Sequence, residues 1–420
     1  MKVISSEKLP IKMWLDEVED SCMAQIKNLA NLPFAFKHIA IMPDSHTGYG
    51  MPIGGVLATK GVVIPNAVGV DIGCGMIAVR TSLKEITTEQ LKTILGKIRL
   101  RVPVGYKHHG KPQIGVMPKK TGQFDIVDQE FGSAMKQIGT LGGGNHFIEI
   151  QKEVGRTRCK QCGDSPSIYN LNGENECIVC RSKRFYQDGN IWIMIHSGSR
   201  NLGYKVAKYY NNIAYDLNKK WYSDTYLPKN KENSLAFFPM GTGEYNSYIK
   251  EMNYCLEFAL ANRKLMMERT KQIFCEESNC EFENAINIHH NYATMENHFG
   301  QNVMIHRKGA TSARKGQLGI IPGSQGTKSY IVRGLGNPES FNSCSHGAGR
   351  KMGRNQARRE LNLEEEQKKL EDKGILHSVR SIKQLDESSG AYKDIAVVMA
   401  NQSDLVEIIV ELTPLGVIKG

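Results

Sequence analysis

Apolar residues recur along this chain with two different periods. Between Thr87 and Leu100 they fall at Leu91, Ile94, Leu95 and Ile98, one face of a helix, and Thr87 with Gln90 has the form of a capping box at its start. Residues 245–274 carry the same spacing over a longer stretch, with Ile249, Met252, Leu256, Ala259 and Leu260 on one face. Residues 12–30 also read as helical, and the highly charged segment 355–373 predicts a helix solvated on most sides. Short β-branched runs lie between: GVVI at 61–64, IAV at 77–79, IWIMI at 191–195, a strand-like run at 285–288 and VEIIVEL at 406–412. The mixture lacks a regular strand–helix alternation, so it predicts an α+β fold with several mixed sheets.

Residues 151–190 break this pattern. Cys159-Lys-Gln-Cys162 is followed, after fourteen residues, by Cys177-Ile-Val-Cys180, with basic residues on both flanks. Four thiolates in two CxxC pairs can close a tetrahedral zinc site, so the segment reads as a small zinc-ribbon-like insertion. It divides a larger domain made of 1–150 and 191–420. The chain has ten cysteines, and their spacing is not that of a disulfide framework in a short secreted domain.

Composition narrows the class further. The 420 residues are 40% hydrophobic and 23% charged, as in an ordinary globular enzyme. No apolar run approaches the roughly 18 residues of a membrane span, and charges occupy the N-terminus where a signal peptide needs an apolar stretch. A cytoplasmic protein with no membrane partner is expected. The formal net charge of +11 suits a polyanionic partner such as RNA or DNA, or a merely basic soluble enzyme, about equally.

The candidate chemistry lies where apolar runs give way to Gly, Ser or Asn. Asp71 and Cys74 stand in VDIGCG, His146 in LGGGNHF, His196 in HSGSRNLG and His290 in HHNYA. Together they supply five ligands of mixed hardness, enough for two divalent ions if Cys74 bridges. By ligand type alone zinc would be favoured. His346, in SCSHGAGR with Arg350, Lys351 and Arg354 close behind, could attack phosphorus as a neutral imidazole or serve as a further ligand or general base. The segment IIPGSQGTKS at 320–329 has the glycines of a phosphate cradle, with Ser324, Thr327, Lys328 and Ser329 as donors, but it is neither a Walker A motif nor a dinucleotide fingerprint. Arg200, Lys205, Lys208, Lys107, Lys111, Lys119 and Lys120 are candidate phosphate contacts.

MPDSHTGYGMPIGG at 42–55, VDIGCG, LGGGNHFIEI, HSGSRNLG, HHNYA, RKGAT, PGSQGTKS, SHGAGR and the terminal Lys419-Gly420 together resemble the RtcB family of RNA ligases, in the family's order and over nearly all of the chain outside the cysteine insertion. The resemblance implies a compact α+β catalytic domain. It implies joining of an RNA 3′-phosphate or 2′,3′-cyclic phosphate to a 5′-hydroxyl, with GTP and two manganese ions. On this resemblance His346 is guanylylated and Asp71, Cys74, His146, His196 and His290 hold manganese. Asn145 lies beside the nucleotide phosphates, Glu149, Ser329 and Lys419 meet guanine, and Ser324, Ala348 and Gly349 line the nucleotide pocket. Arg200 lies near the RNA phosphate. Broken RNA, including tRNA, and an archease-type activator are the implied partners. Two departures are the insertion itself and Gly353, where the family pattern suggests Ser. The competing readings are a dinuclear metallophosphoesterase that needs neither GTP nor His346, and a non-catalytic RNA-binding or damage-sensing relative.

Overall fold

Two antiparallel-rich sheets form the frame. In this computed structural model residues 1–155 and 189–420 are described throughout; between them only the backbone of 157–159, 167–169, 175–177 and 185–187 is described. Those four short strands pair as two antiparallel ladders. The expected zinc site falls outside the described residues, since Cys162 and Cys180, and the side chains of Cys159 and Cys177, are not among them.

The strands that position the site are β1 (Lys2–Ile4), β2 (Ile11–Met13), β3 (Ala35–His46), β4 (Ile53–Thr59), β5 (Gly75–Arg80), β6 (Phe147–Glu153), β7 (Ile191–Ser197), β8 (Ile286–His289), β9 (Asn291–His298), β10 (Gln301–Lys308), β11 (Leu318–Ile321), β12 (Ser329–Gly334) and β13 (Val406–Lys419). One sheet has the order β1-β2-β3-β4-β10-β9, the other β8-β5-β7-β6-β13-β12-β11. In these sheets only β2 and β3 run parallel, so a single parallel pair makes the first sheet mixed, and the second is antiparallel throughout.

Helices cover the frame: α1 (Asp20–Ala30), α2 (Pro65–Val68), α3 (Thr88–Arg101), α4 (Ile126–Gln137), α5 (Arg200–Lys220), α6 (Gly243–Ser278), α7 (Arg354–Glu360) and α8 (Leu363–Glu371). The capping box at Thr87 and Gln90 is present. The helical reading of 12–30 holds only from Asp20, because Ile11 and Met13 alternate as buried strand residues beside β3. The charged segment 355–373 is two helices, since the Asn362 side chain accepts from the Glu364 and Glu365 amides and starts a new one. Of 61–64, only Val62–Val63 is a strand. Among the described residues no helix is long and apolar enough to cross a membrane.

Period-two alternation sorts the seven-stranded sheet into two faces. Ile77, Val79, Ile148, Ile150, Ile193 and Ile195 pack with α3 and α6, through residues such as Leu91, Ile94, Met266 and Phe274. Met76, Ala78, Phe147, Trp192 and Met194 face the other way. His196 and Glu149 share that second face by parity.

The six-stranded sheet holds a buried ion pair. Arg307 on β10 donates to both oxygens of Glu296 on β9, at 2.5 and 3.1 Å, and also to Ser343 Oγ and the Phe341 carbonyl. Burial opposes the charge of Glu296, but His298 and Arg307 hold it well below the usual carboxylate range. Arg307→Met should strand that carboxylate and cost about 3–5 kcal/mol in denaturant unfolding, with most of the loss recovered in the Arg307→Met, Glu296→Met pair.

Candidate active site

Antiparallel pairing explains why distant residues meet. β5 and β6 begin at the edge of the sheet where β7 and β8 end. Cys74 immediately precedes β5, His146 immediately precedes β6, His196 sits one residue from the end of β7, and His290 immediately follows β8. Cys74 Sγ lies 3.4 Å from His146 Nε2 and 3.2 Å from His196 Nε2. Asp71 Oδ2 is 3.1 Å from His146 Nε2, and His196 Nε2 is 3.4 Å from His290 Nε2. All five predicted ligands therefore converge, with Cys74, His146 and His196 as the tightest trio.

Burial dominates the electrostatics here. It pushes the Cys74 thiol well above its ordinary value, helped by the charge of Asp71. It pulls His196 and His290 well below theirs, with neighbouring histidines adding to the effect. Burial also opposes ionisation of Asp71, yet His146 and Cys74 hold its carboxyl below the usual value. His196 Nδ1 is 3.1 Å from the Asn145 carbonyl, which fixes the proton on Nδ1 and leaves an Nε2 lone pair facing the cluster. Two imidazole Nε2 atoms 3.4 Å apart, with a sulfur and a carboxylate beside them, repel one another unless a cation or proton lies between them. The donor set fits a divalent metal centre.

Two consecutive residues of α6 hold the ligand-bearing turns. Asn262 Oδ1 accepts from the Gly139 and Thr140 amides, and its Nδ2 donates to Ser197 Oγ and the Gly198 carbonyl. Arg263, fully buried, donates to the Gly73 and Ser197 carbonyls at 2.9 Å each and to Asn287 Oδ1 at 2.8 Å.

A two-stranded ladder packed on the six-stranded sheet contributes His346. It follows a short strand, Ser343–Ser345, and its ring lies against His290 with centroids 4.8 Å apart. Asp44, near the end of β3 and fully buried, has one oxygen 2.6 Å from His346 Nδ1; that oxygen also accepts from the His346 and Gly347 amides. The closeness requires glycine at two places. A Cβ on Gly309, whose φ is 60°, would come within 3.0 Å of His346 Cε1, and one on Gly349, at φ 72°, would strike the Asp44 carbonyl.

A cleft of about 860 Å³ opens over these groups. Asp71, Cys74, His196, His290 and His346 line its floor; Asn145, Glu149 and Lys419 line one wall; Ser324, Ala348 and Gly349 line another. His146, Arg200 and Ser329 lie behind the lining. Ser329 Oγ is 3.0 Å from Gln151 Nε2, which also donates to Glu149 at 2.7 Å. Arg200 occupies the left-handed region at φ 58°, a strained conformation for a residue with a side chain, and donates to Thr140 Oγ1 and the Gly105 carbonyl behind Asp71.

The expected cradle at 320–329 is only partly one. Ser324 and Gln325 reach the cleft. Thr327 Oγ1 is taken by the Ser324 amide, and Lys328, just before β12, pairs with Glu411 outside, while the next side chain, Ser329, turns inward to Gln151. Lys351 is likewise exposed and does not line the cleft. Lys120 is held by Asp128.

Three residues escaped the sequence reading. Asp44 stands inside the MPDSH motif and Lys308 inside RKGAT, so position was signalled but role was not. Burial pulls the Lys308 ammonium down to about 7, and it donates to the Asn66 and Tyr49 carbonyls at the cleft wall. Glu387 carried no signal. It gathers Arg350 at 3.3 Å, Arg354 at 2.8 Å, Lys419 at 3.0 Å and the Tyr392 hydroxyl. Burial opposes its charge, but Lys419 and Arg354 carry its carboxyl down to about 2.

The chain matches the family model described as "tRNA-splicing ligase RtcB" over residues 25–126 and 120–420. It is 38% identical to the "RNA-splicing ligase RtcB" of Escherichia coli K12, covering 100% of this chain and 99% of that relative. Identity is 30% to the "tRNA-splicing ligase RtcB" of Nanoarchaeum equitans, over 100% and 95% of the two chains, and 29% to that of Thermococcus kodakarensis, over 96% and 92%.

Two predictions follow from the geometry. Burial raises Glu149 to about 7, against an ordinary 4.5, so the folded state holds a proton there that the unfolded chain releases earlier. Its contribution to stability is complete below 4.5 and is lost as pH rises through 7. Denaturant unfolding at pH 5 and pH 8 should show the wild type losing up to about 3 kcal/mol relative to Glu149→Gln across that interval. Arg263→Met should weaken cobalt(II) binding, followed by its thiolate charge-transfer absorption, about 10–100-fold. Equal cobalt affinity in the folded variant would refute that role.

Proposed function

The chain belongs to the RtcB family and is an RNA ligase, and we propose that it joins an RNA 3′-phosphate or 2′,3′-cyclic phosphate end to a 5′-hydroxyl through a guanylylated His346 and a 3′-guanylylated RNA. The observation that carries this reading is the buried Asp44 carboxylate on Nδ1 of His346, at 2.6 Å, beside the five-donor cluster in one cleft. With Nδ1–H held by Asp44, the lone pair of the ring resides on Nε2.

In the proposed first step Nε2 attacks the α-phosphorus of GTP. A P–N bond forms, the bond to the bridging oxygen breaks and pyrophosphate leaves. A 2′,3′-cyclic end is first opened by water, which breaks the bond to O2′ and leaves a 3′-phosphate; the 3′-phosphate then displaces His346 and carries the GMP. The 5′-hydroxyl attacks the 3′-phosphorus last, with GMP as the leaving group. A phosphate monoester is otherwise a poor electrophile, because its charge repels nucleophiles and its oxygens leave badly.

Asp71, Cys74, His146, His196 and His290 would hold two manganese ions, which when bound neutralise charge spread over the phosphates. The ligand types alone suit zinc, so manganese rests on family membership. Glu149, Ser329 and Lys419 are assigned to guanine, Asn145 to the nucleotide phosphates, and Ser324, Ala348 and Gly349 to the pocket wall. Ser329, behind the lining, acts in this reading through Gln151, which its hydroxyl and Glu149 share. Arg200 is assigned to the RNA phosphate. Segments 1–150 and 191–420 form the catalytic domain, and Cys159, Cys162, Cys177 and Cys180 would hold a structural zinc in the 151–190 insertion, on the strength of their spacing. Cytoplasmic action on broken RNA, tRNA included, with an archease-type activator completes the proposal.

Incubation with manganese and α-³²P-labelled GTP tests it. Wild type should acquire an acid-labile label, His346→Ala none, and Asp44→Asn should label about 100-fold more slowly or worse at unchanged thermal stability. A label that persists in His346→Ala would remove the nucleophile assigned here. No label in metal-loaded wild type with activator present would remove the guanylylation step.

A further inference from the structure

The outer face of α5 has no part in the cleft, yet its composition is not that of an idle surface. Its inner face is buried through Val206, Tyr210 and Ala214. Its outer face exposes Tyr204 and Tyr209, at 41% and 37%, with Lys205 and Lys208 between them. The row continues through Lys219 and Lys220 to Trp221 and Tyr222, the latter 93% exposed. Single exposed aromatics are ordinary, but a row of them interleaved with lysines along one helix is the pattern that binds single-stranded nucleic acid, by stacking on bases and pairing with phosphates.

Charge agrees with this. Lys208 Nζ lies 5.9 Å from the centroid of the Tyr204 ring. Lys205 is 3.8 Å from Glu130, and the acid on the exposed face, Asp216, is held by Lys231 at 2.6 Å. Among the described residues no carboxylate pairs with Lys208, Lys219 or Lys220, so the face is net positive on a chain of net charge +11.

The row also begins at the catalytic centre. Arg200, the first residue of α5, donates to the Gly105 carbonyl at 3.1 Å behind Asp71. Tyr106, the next residue after Gly105, is fully exposed, and Tyr204 stands one helical turn beyond Arg200. Arg200 thus joins the start of α5 to the loop that carries Tyr106, beside Asp71 and Cys74. At 21 residues α5 extends about 32 Å, room for several nucleotides.

We propose that the outer face of α5, from Tyr106 and Tyr204 beside Arg200 to Tyr222, is a track for single-stranded RNA that leads a substrate end into the cleft. The proposal rests on the chain being an RNA ligase. It does not depend on the guanylylated intermediate, because it concerns binding alone.

The test is fluorescence anisotropy with fluorescein-labelled oligouridylates of 4 and 20 nucleotides ending in 3′-phosphate, without GTP or metal, across a salt series. The variant is Tyr204→Ala, Lys208→Ser, Tyr209→Ala, Lys219→Ser, with Lys92→Ser on the exposed face of α3 as a control. The 20-mer should bind the variant about 100-fold more weakly, roughly tenfold for each lost stacking residue. Its salt slope should fall by about 1.4, roughly 0.7 for each lysine removed. The 4-mer should change less than about threefold, and the control should match wild type. Lys208→Glu alone, a surface change that leaves the fold intact, should weaken the 20-mer in the same direction. Unchanged 20-mer affinity overturns the track. Equal loss for both lengths also overturns it, since the effect would then belong to the cleft. Displacement of the 20-mer by polyglutamate as readily as by unlabelled RNA would assign the face to an acidic protein and overturn it too.

Discussion

Like atoms must be held together in a dry place, and most of the architecture around the cleft answers that demand. Three imidazoles, a thiol and a carboxylate lie within a few ångströms, and burial disfavours the charged forms of most of them. Left to side-chain freedom such groups would turn apart. Antiparallel pairing of β8, β5, β7 and β6 brings four turns to one edge, and Asn262 with Arg263 fixes three of them through their backbones. A buried Arg is costly without partners. Here its guanidinium bonds are spent on the turns that carry Cys74, His196 and, through Asn287, His290, so the helix and the site stabilise each other.

His346 is held by the other large sheet, not by the one that carries the donor cluster. Asp44 ends a strand of the six-stranded sheet and His346 docks on it, while the donor cluster belongs to the seven-stranded sheet. His346 follows a two-stranded ladder, so its distance from the cluster is set by its bonds to Asp44 and by the packing of that ladder on the six-stranded sheet. The glycines at 309 and 349 are the local condition for that closeness.

Legibility in the sequence followed periodicity and motif. The helices at 88–101 and 243–278 and the strand at 191–197 came from spacing that their burial reproduces. The five donors and His346 were legible because each stands in a small-residue turn at a strand end. The segment 12–30 misled because Ile11, Met13 and the helix after Asp20 present two periods in one window. Lys328 was misplaced because spacing cannot say which of two neighbours at a strand start, Lys328 or Ser329, turns inward. Asp44 and Glu387 act across 302 and 32 residues of sequence, on His346 and Lys419 respectively, and no local pattern encodes such a partner.

Glu387 bears on how a polyanion is received. Arg350, Arg354 and Lys419 would repel one another and sample many rotamers if they stood alone at the cleft wall. The buried Glu387 carboxylate pairs with all three, and Asp386 adds a second anchor for Arg354. The ordering of three long cationic side chains is therefore completed on folding rather than on binding, which lowers the cost of engaging a ligand. The two cationic surfaces differ in their surroundings. Charges tied to Glu387 are pre-positioned and weakly screened, suited to a fixed orientation, whereas those along α5 are solvated and suited to attraction that does not depend on sequence.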